Sequence, residues 1–287
     1  MPEPKASREN SPLDLTGKVT KTDASCVALG PRSDVFEGKW TNESHRGQNS
    51  EVLALKVLRG ILSDQHLSAQ MLEKLLSCAH EWRKLSHKNV LPVYGISSEF
   101  GQKPCLVMPL CTQGSIVDKR SAKQELDIIR DVAEGLNFLH SRSVVHGNIK
   151  GSNILIRDDG VACITDYELT AILSDVELTS SNIVDSVRWT APEILNSEET
   201  DPSKLPYSTK SDVYAFAMTI IEIYTGKRPF QHVKHDSAVI FRVIKGERPE
   251  RPSHVELNDN IWNMVGQSWS QNAADRLDMD AIVSILL

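Results

Sequence analysis

The residues most able to do chemistry lie together in VVHGNIKGSNIL, residues 144–155. Between two aliphatic pairs stand His146, Asn148, Lys150 and Asn153, spaced by glycines, a serine and Ile149. The stretch has the shape of a loop that serves phosphoryl transfer. Asn148, however, occupies the place where a carboxylate would take a proton. A neutral amide oxygen accepts a hydrogen bond but has essentially no basicity near neutral pH. Positioned acid–base groups contribute about 10²–10⁴-fold to rate, so the exchange cripples turnover without forbidding it.

The elements that must position this loop follow from periodicity. Residues 18–58 are strand-like, with VALG, SDVFEGKW and EVLALKVL as short β-rich runs. Residues 63–86 predict a helix whose apolar stripe is Leu67, Met71, Leu75, Cys78, Ala79, Trp82 and Leu85, with Ser63 or Asp64 as N-cap. NVLPVYGI and PCLVMPL read as two further strands. Past CTQGS the pattern turns helical: QELDIIRDVAEGLNFLH places Ile129, Val132, Ala133, Leu136 and Leu139 on one face. NILIRD and VACITD are short strands joined by the turn signal DDG. SDVYAFAMTIIEIYTG is apolar on more than one face and predicts a helix buried inside its lobe. NIWNMVGQSW and MDAIVSILL complete a helical second half. The class is α+β, a small β-rich lobe with one helix followed by a larger helical one.

Composition narrows the function classes. The 287 residues can bury a large core, and 40 % hydrophobic with 24 % charged residues is ordinary for a globular protein. A net charge of −6 gives no basic footprint, so neither nucleic acid nor an anionic membrane is expected as a partner. Cys26, Cys78, Cys105, Cys111 and Cys163 form no CxxC pair and are odd in number, which favours a reducing compartment, with cytoplasm as the expected location. The opening MPEPKASREN lacks a signal-peptide core, and Pro2 stands where myristoylation needs glycine. Residues 1–16 are expected to form a flexible leader. VYAFAMTIIEIYTG is interrupted by Glu222 and too short to span a bilayer.

With these motifs in place, the chain resembles a protein kinase domain from about residue 20 to 287. LALK, HGNIKGSN, DYE, APE at 191–193 and SDVYAF at 211–216 match the family's motifs in order. The wording of HKNVLPVYG, HGNIKGSNIL and SVRWTAPEIL is similar to the tyrosine-kinase-like branch. Lys150 and Ser186 are similar to serine/threonine-type members. The resemblance implies a bilobal fold with an N-lobe over 17–110 and a C-lobe over 111–287. It implies ATP and magnesium as ligands: Lys56 on the α and β phosphates, Asn153 and Asp166 on the metal, Lys150 facing the γ-phosphate. Gly30 would belong to the phosphate loop, and Val35, Ala54 and Leu155 would enclose the adenine. Met108 would be the gatekeeper, and Cys111 would offer a hinge N–H. By the same resemblance Trp82, Val93, His146 and Tyr167 would fill the family's internal apolar column, Asp212 would anchor the buried helix, and Arg276 would pair with Glu193.

The chain also departs from the pattern. Asn148 replaces the catalytic aspartate. Glu168 stands where a glycine would let the backbone flip. Only Gly30 survives of the phosphate-loop glycines, Ala28 and Ser33 replacing the others. The helix glutamate that should pair with Lys56 falls at Cys78; Glu81, three residues on, is expected on a solvated flank. Gly147 removes the arginine that would receive a phosphorylated activation segment, leaving Thr170, Ser174, Thr179, Ser180 and Ser181 without it. The expectation is a pseudokinase that binds nucleotide weakly and serves an unidentified protein partner. The alternative is a slow serine/threonine kinase in which Glu81 rescues the ion pair.

Overall fold

The computed structural model describes residues 13–30, 33–41, 52–58, 65–100, 104–118, 125–167, 186–198, 206–253 and 257–287. They divide into two compact units. One comprises the chain up to Ser86 with Leu91–Leu110, the other His87–Val90 with Cys111–Leu287. The protein is α+β: among the described residues, the first unit has an antiparallel sheet with one helix, and the second is mainly helical.

The first unit holds a five-stranded sheet of order β1-β2-β3-β5-β4. The strands are β1 (Val19–Leu29), β2 (Ser33–Trp40), β3 (Leu53–Leu58), β4 (Gly95–Ser97) and β5 (Cys105–Pro109). Alternation along β3 sorts the two faces. Leu53, Leu55 and Val57 join Val19, Cys105 and Val107 in a buried cluster, against which Phe36, Trp40, Tyr94 and Phe100 pack. Ala54 and Lys56 take the opposite face. Helix α1 (Gln65–Trp82) packs against β4, burying Leu75, Ala79 and Trp82. The expected N-cap, Ser63 or Asp64, lies outside the described residues.

Three expectations change here. The helix expected over 63–86 ends at Trp82, and the N–H groups of Lys84 and Leu85 turn to the carbonyls of Glu81 and Trp82. NVLPVYGI is not a strand along its length; only Gly95 onward pairs with β5. Pro92 has no N–H to give a ladder, which confines pairing to the residues after it. Finally, the end of the expected leader is docked rather than loose. Leu15 N–H donates to Ile96 O at 2.7 Å and Ile96 N–H to Leu13 O at 2.8 Å, with Leu13 and Leu15 buried. This short parallel bridge supplies partners that the outer edge of β4 would otherwise lack.

The second unit begins its regular structure with α2 (Glu125–Ser141), whose Ile129, Val132, Ala133, Leu136 and Leu139 are fully buried as the periodicity demands. Strands β6 (Ile154–Ile156) and β7 (Ala162–Ile164) form a hairpin closed by Arg157 N–H to Val161 O, with Gly160 left-handed at φ 83°. Next come the short α3 (Pro192–Leu195) and then α4 (Thr209–Thr225). α4 starts on a reciprocal cap between Ser208 and Ser211 and stops at Gly226, φ 63°. It is buried on every side from Ser211 to Glu222, as a helix apolar around its circumference must be. Of the remaining helices, α6 (Asp259–Ser268) packs on α4, as α2 does, while α5 (Asp236–Ile244) packs on α3 and α7 (Met279–Leu286) on α2 and α6. α5 is not among the elements expected from periodicity.

Candidate functional site

The loop of residues 144–153 is held from below by α4. Asp212, 1 % exposed, accepts the N–H groups of His146 and Gly147, each at 2.8 Å, and contacts His140 Nε2 at 2.9 Å. A buried carboxylate is tolerable because these donors surround it. The resulting turn puts Gly147 at φ 75°, a left-handed geometry that glycine adopts without the Cβ penalty.

His146 is fully buried. Its Nε2 meets Thr165 O at 2.9 Å and its Nδ1 accepts the Asn148 N–H at 3.1 Å. One ring nitrogen thus donates and the other accepts, which defines a neutral imidazole. Burial also holds its pKa below the ordinary value. His146 is a structural brace for the loop.

Asn148 lies at the centre of a polar chain. Ser186 Oγ donates to Asn148 Oδ1 at 2.8 Å, and Lys150 Nζ donates to Ser186 Oγ at 3.1 Å. Asn153 Nδ2 donates to Asn148 O at 2.9 Å, which fixes the amide and leaves Asn153 Oδ1 for another ligand. Thr165 N–H donates to Asn153 O, setting Asp166 beside it. Asp166 is partly exposed and left-handed at φ 67°, a conformation aspartate tolerates better than most residues. Two oxygen ligands of this kind fit a hard cation that keeps water and phosphate as its other ligands. Glu168, the expected obstacle next door, lies outside the described residues, as do Thr170, Ser174, Thr179, Ser180 and Ser181. Tyr167 is buried, edge-on to the His146 ring. Leu155 faces Cys163 across the β6–β7 hairpin and stays half-buried. Burial pushes the Cys111 thiol up to about 12, so it is inert as a nucleophile.

In the first unit, Lys56 lies opposite Val35 on β2 and Leu106 on β5, and Ala54 lies opposite Met108. Val35, Ala54, Lys56 and Met108 therefore share one face of the sheet. Gly30 serves as a turn: its N–H donates to Ser33 O at 2.8 Å and is committed to closing the β1–β2 connection. Glu81 stands on the outer flank of α1, 66 % exposed, paired with Lys84 at 2.8 Å. Cys78, in the place expected for the pairing glutamate, is half-buried. The ion pair that Glu81 was to rescue in the alternative reading is not formed by it.

Further buried charged residues brace the loop and the segments after it. Glu222 Oε2 accepts the Gly151 N–H at 2.8 Å and the Trp189 indole N–H at 3.0 Å. Burial lifts its carboxyl to about 7. Arg188, 3 % exposed, pairs with Asp236 and donates to the carbonyls of Pro229, Phe230 and Val233. The pair foreseen between Arg276 and Glu193 is bidentate, with both contacts at 2.7 Å. The one available signal for Glu222 was a carboxylate inside an otherwise apolar helix.

The pattern of the family described as "Protein tyrosine and serine/threonine kinase" matches residues 24–286. Serine/threonine-protein kinase STY17 of Arabidopsis thaliana is 26 % identical over 267 residues, covering 91 % of this chain and 43 % of that protein. Mitogen-activated protein kinase kinase kinase 12 of Rattus norvegicus is 28 % identical over 202 residues, covering 68 % and 21 %. Receptor-type guanylate cyclase gcy-4 of Caenorhabditis briggsae is 29 % identical over 315 residues, covering 100 % and 26 %. The chain thus spans less than half the length of each of these relatives. No helix among the described residues is long and apolar enough to cross a membrane.

Proposed function

Because the chain belongs to the family of protein tyrosine and serine/threonine kinases, we propose that it is a catalytically impaired member of it. On this reading it is a kinase-like domain of the tyrosine-kinase-like branch that binds ATP and magnesium weakly. It acts in the cytoplasm as a regulatory or scaffolding module for a protein partner. The observation that carries the proposal is Asn148: the oxygen offered to an acceptor hydroxyl is a neutral amide, already bonded to Ser186. Glu81, engaged with Lys84, and the Gly30 amide, engaged with Ser33, add to it. The guanylate cyclase relative adds that chains this similar to ours occur in proteins named for a different reaction.

Nucleotide binding is the part of the family's work these residues still fit. Lys56 would hold the α and β phosphates, Asn153 Oδ1 and Asp166 the magnesium, and Lys150 would face the γ-phosphate. In the first unit the sheet face of half-buried Val35 and buried Ala54 and Met108 would take the adenine; in the second unit Leu155 and the Cys111 backbone are the residues suited to it. Bound magnesium supplies neutralisation of phosphate charge. What this chain's own residues do is orient: Asp212 and His146 hold the loop, and Asn153 braces Asn148. No group on the loop accepts a proton at neutral pH. The test is incubation of purified protein with labelled Mg-ATP and generic substrates; turnover well above a Lys56→Met control would overturn the proposal.

A second reading, a slow serine/threonine kinase, is favoured by the Lys150–Ser186–Asn148 chain, which keeps an oxygen aimed at a hydroxyl. It requires that Asn148→Asp raise activity by about 10²–10⁴-fold.

A further inference from the structure

Glu222 is a buried titratable group of the second unit that the proposed function leaves unused. It sits on α4 with 8 % exposure, and one of its oxygens, Oε2, receives both Gly151 N–H and Trp189 Nε1–H. Gly151 follows Lys150 in the loop. Trp189 ends the short turn Val187–Trp189, which begins next to Ser186. Glu222 therefore joins the two segments whose side chains form the Lys150–Ser186–Asn148 chain. The fit is close: a Cβ on Gly151 would meet Glu222 Oε2 and Val117 Cγ2 at 2.8 Å.

The charged groups around it are few. Lys150 acts on Glu222 from the loop. Arg188, on the same turn as Trp189, is directed to Asp236 and three carbonyls. His140 of α2 is bound to Asp212, and Asp118, beside Val117, is held by Ser115. Tyr224, on Glu222's own helix, is half-buried and neutral. Among the described residues, Lys150 is thus the cation that responds to the charge on Glu222.

We propose that Glu222 is a proton-controlled latch: ionised, it grips Gly151 and Trp189 through charged hydrogen bonds and offsets part of the charge of Lys150; protonated, it no longer offsets the charge that Lys150 presents to an anionic ligand. Hydrogen bonds to an ionised acceptor are roughly twice as strong as neutral ones, so the two states differ in how tightly the loop is held. Burial places the transition at about pH 7, within the range where small changes in acidity matter. For a nucleotide the consequence is directional. A triphosphate that meets Lys150 binds more tightly as pH falls, and this part of the inference rests on the nucleotide reading above.

The experiment follows the Trp189 indole N–H by NMR between about pH 5.5 and 8.5, assigned with Trp189→Phe, in wild type and Glu222→Gln. In parallel, calorimetry measures a non-hydrolysable Mg-ATP analogue at both ends of the range. The indole resonance is expected to titrate in wild type and to stay flat in Glu222→Gln. Wild-type affinity for the analogue is expected to rise at least about threefold on acidification, beyond any change in the variant. The comparison removes the nucleotide's own ionisation. An indole signal that does not titrate in wild type overturns the latch, and so does an identical affinity response in both proteins. A titrating indole with no nucleotide binding at any pH supports the latch and defeats the nucleotide reading instead. Should Glu222→Gln fail to fold, Lys150→Met serves: losing the cation moves the indole midpoint to higher pH, and an unmoved midpoint overturns the proposal.

Discussion

Ser186 donates its hydroxyl to Asn148 Oδ1 at 2.8 Å, so the oxygen at the base position already has a hydroxyl partner from the chain's own fold. An aspartate at the same place could keep that bond and add basicity. Asn148→Asp alone is nevertheless expected to leave phosphoryl transfer at background. Gly30 still closes a turn, and Glu81 still faces solvent. Labelled-ATP assays decide it, and a gain of about 10²–10⁴-fold would favour the slow-kinase reading.

The exposed pair Glu81–Lys84 separates two views of nucleotide binding. Glu81→Gln is expected to leave the Mg-ATP thermal shift unchanged, whereas Lys56→Met abolishes it. An equal loss in both variants would mean that Glu81 reaches Lys56 when nucleotide is present.

Arg276 has a side chain with 0 % exposure, while Glu193 is 26 % exposed. Glu193→Ala leaves that guanidinium buried without its carboxylate, although Lys210 O and Ser270 O still accept from it. Removing one partner of a buried pair costs about 3–5 kcal/mol; the retained carbonyls place the expected loss near the lower figure, as read from urea unfolding.

Two buried groups give opposite pH dependences. Burial holds His146 below 6.5 and lifts Glu222 from 4.5 to about 7. The His146 contribution is complete above the unfolded value and is lost as pH falls through the folded one. The Glu222 contribution is complete below 4.5 and is lost as pH rises through about 7. Glu222→Gln removes only the second. Its stability relative to wild type should therefore increase with pH across that window, by up to about 1.4 kcal/mol per pH unit. Urea midpoints at several pH values would expose a pH-independent difference, the contrary result.

Gly95 abuts the docked segment before β1. A Cβ there would run into the Leu13 carbonyl oxygen and meet the Leu15 side chain at 2.9 Å. Gly95→Ala should lower stability by about 1–3 kcal/mol through overpacking. A neutral effect on the urea midpoint would mean that residues 13–15 do not hold this edge.

Much of the fold was legible in short windows. The apolar periods of α2 and α4, and the DDG turn, identify elements because burial of one face or of all faces leaves its mark every few residues. The strand expected at NVLPVYGI failed because eight residues with apolar alternation say nothing about whether a partner edge is available; Pro92 and the pairing of β5 restrict it. The docking of Leu13 and Leu15 escaped notice because proline-rich polar neighbours mask two leucines whose partners lie some eighty residues onward, at Gly95 and Ile96.

The sequence by itself determined the residue types at each motif: an amide at 148, lysines at 56 and 150, oxygen ligands at 153 and 166, and an arginine and a glutamate able to pair. These are chemical identities, and no folding can change them. Only the tertiary structure decided what each group faces. Ser186 reaches Asn148 across 38 positions, and Glu222 reaches Gly151 across 71. Glu81 turns to Lys84 three residues away. Hydrogen bonds are short and directional, so a partner that distant in sequence is fixed by the packing of whole helices and loops, which no local pattern records.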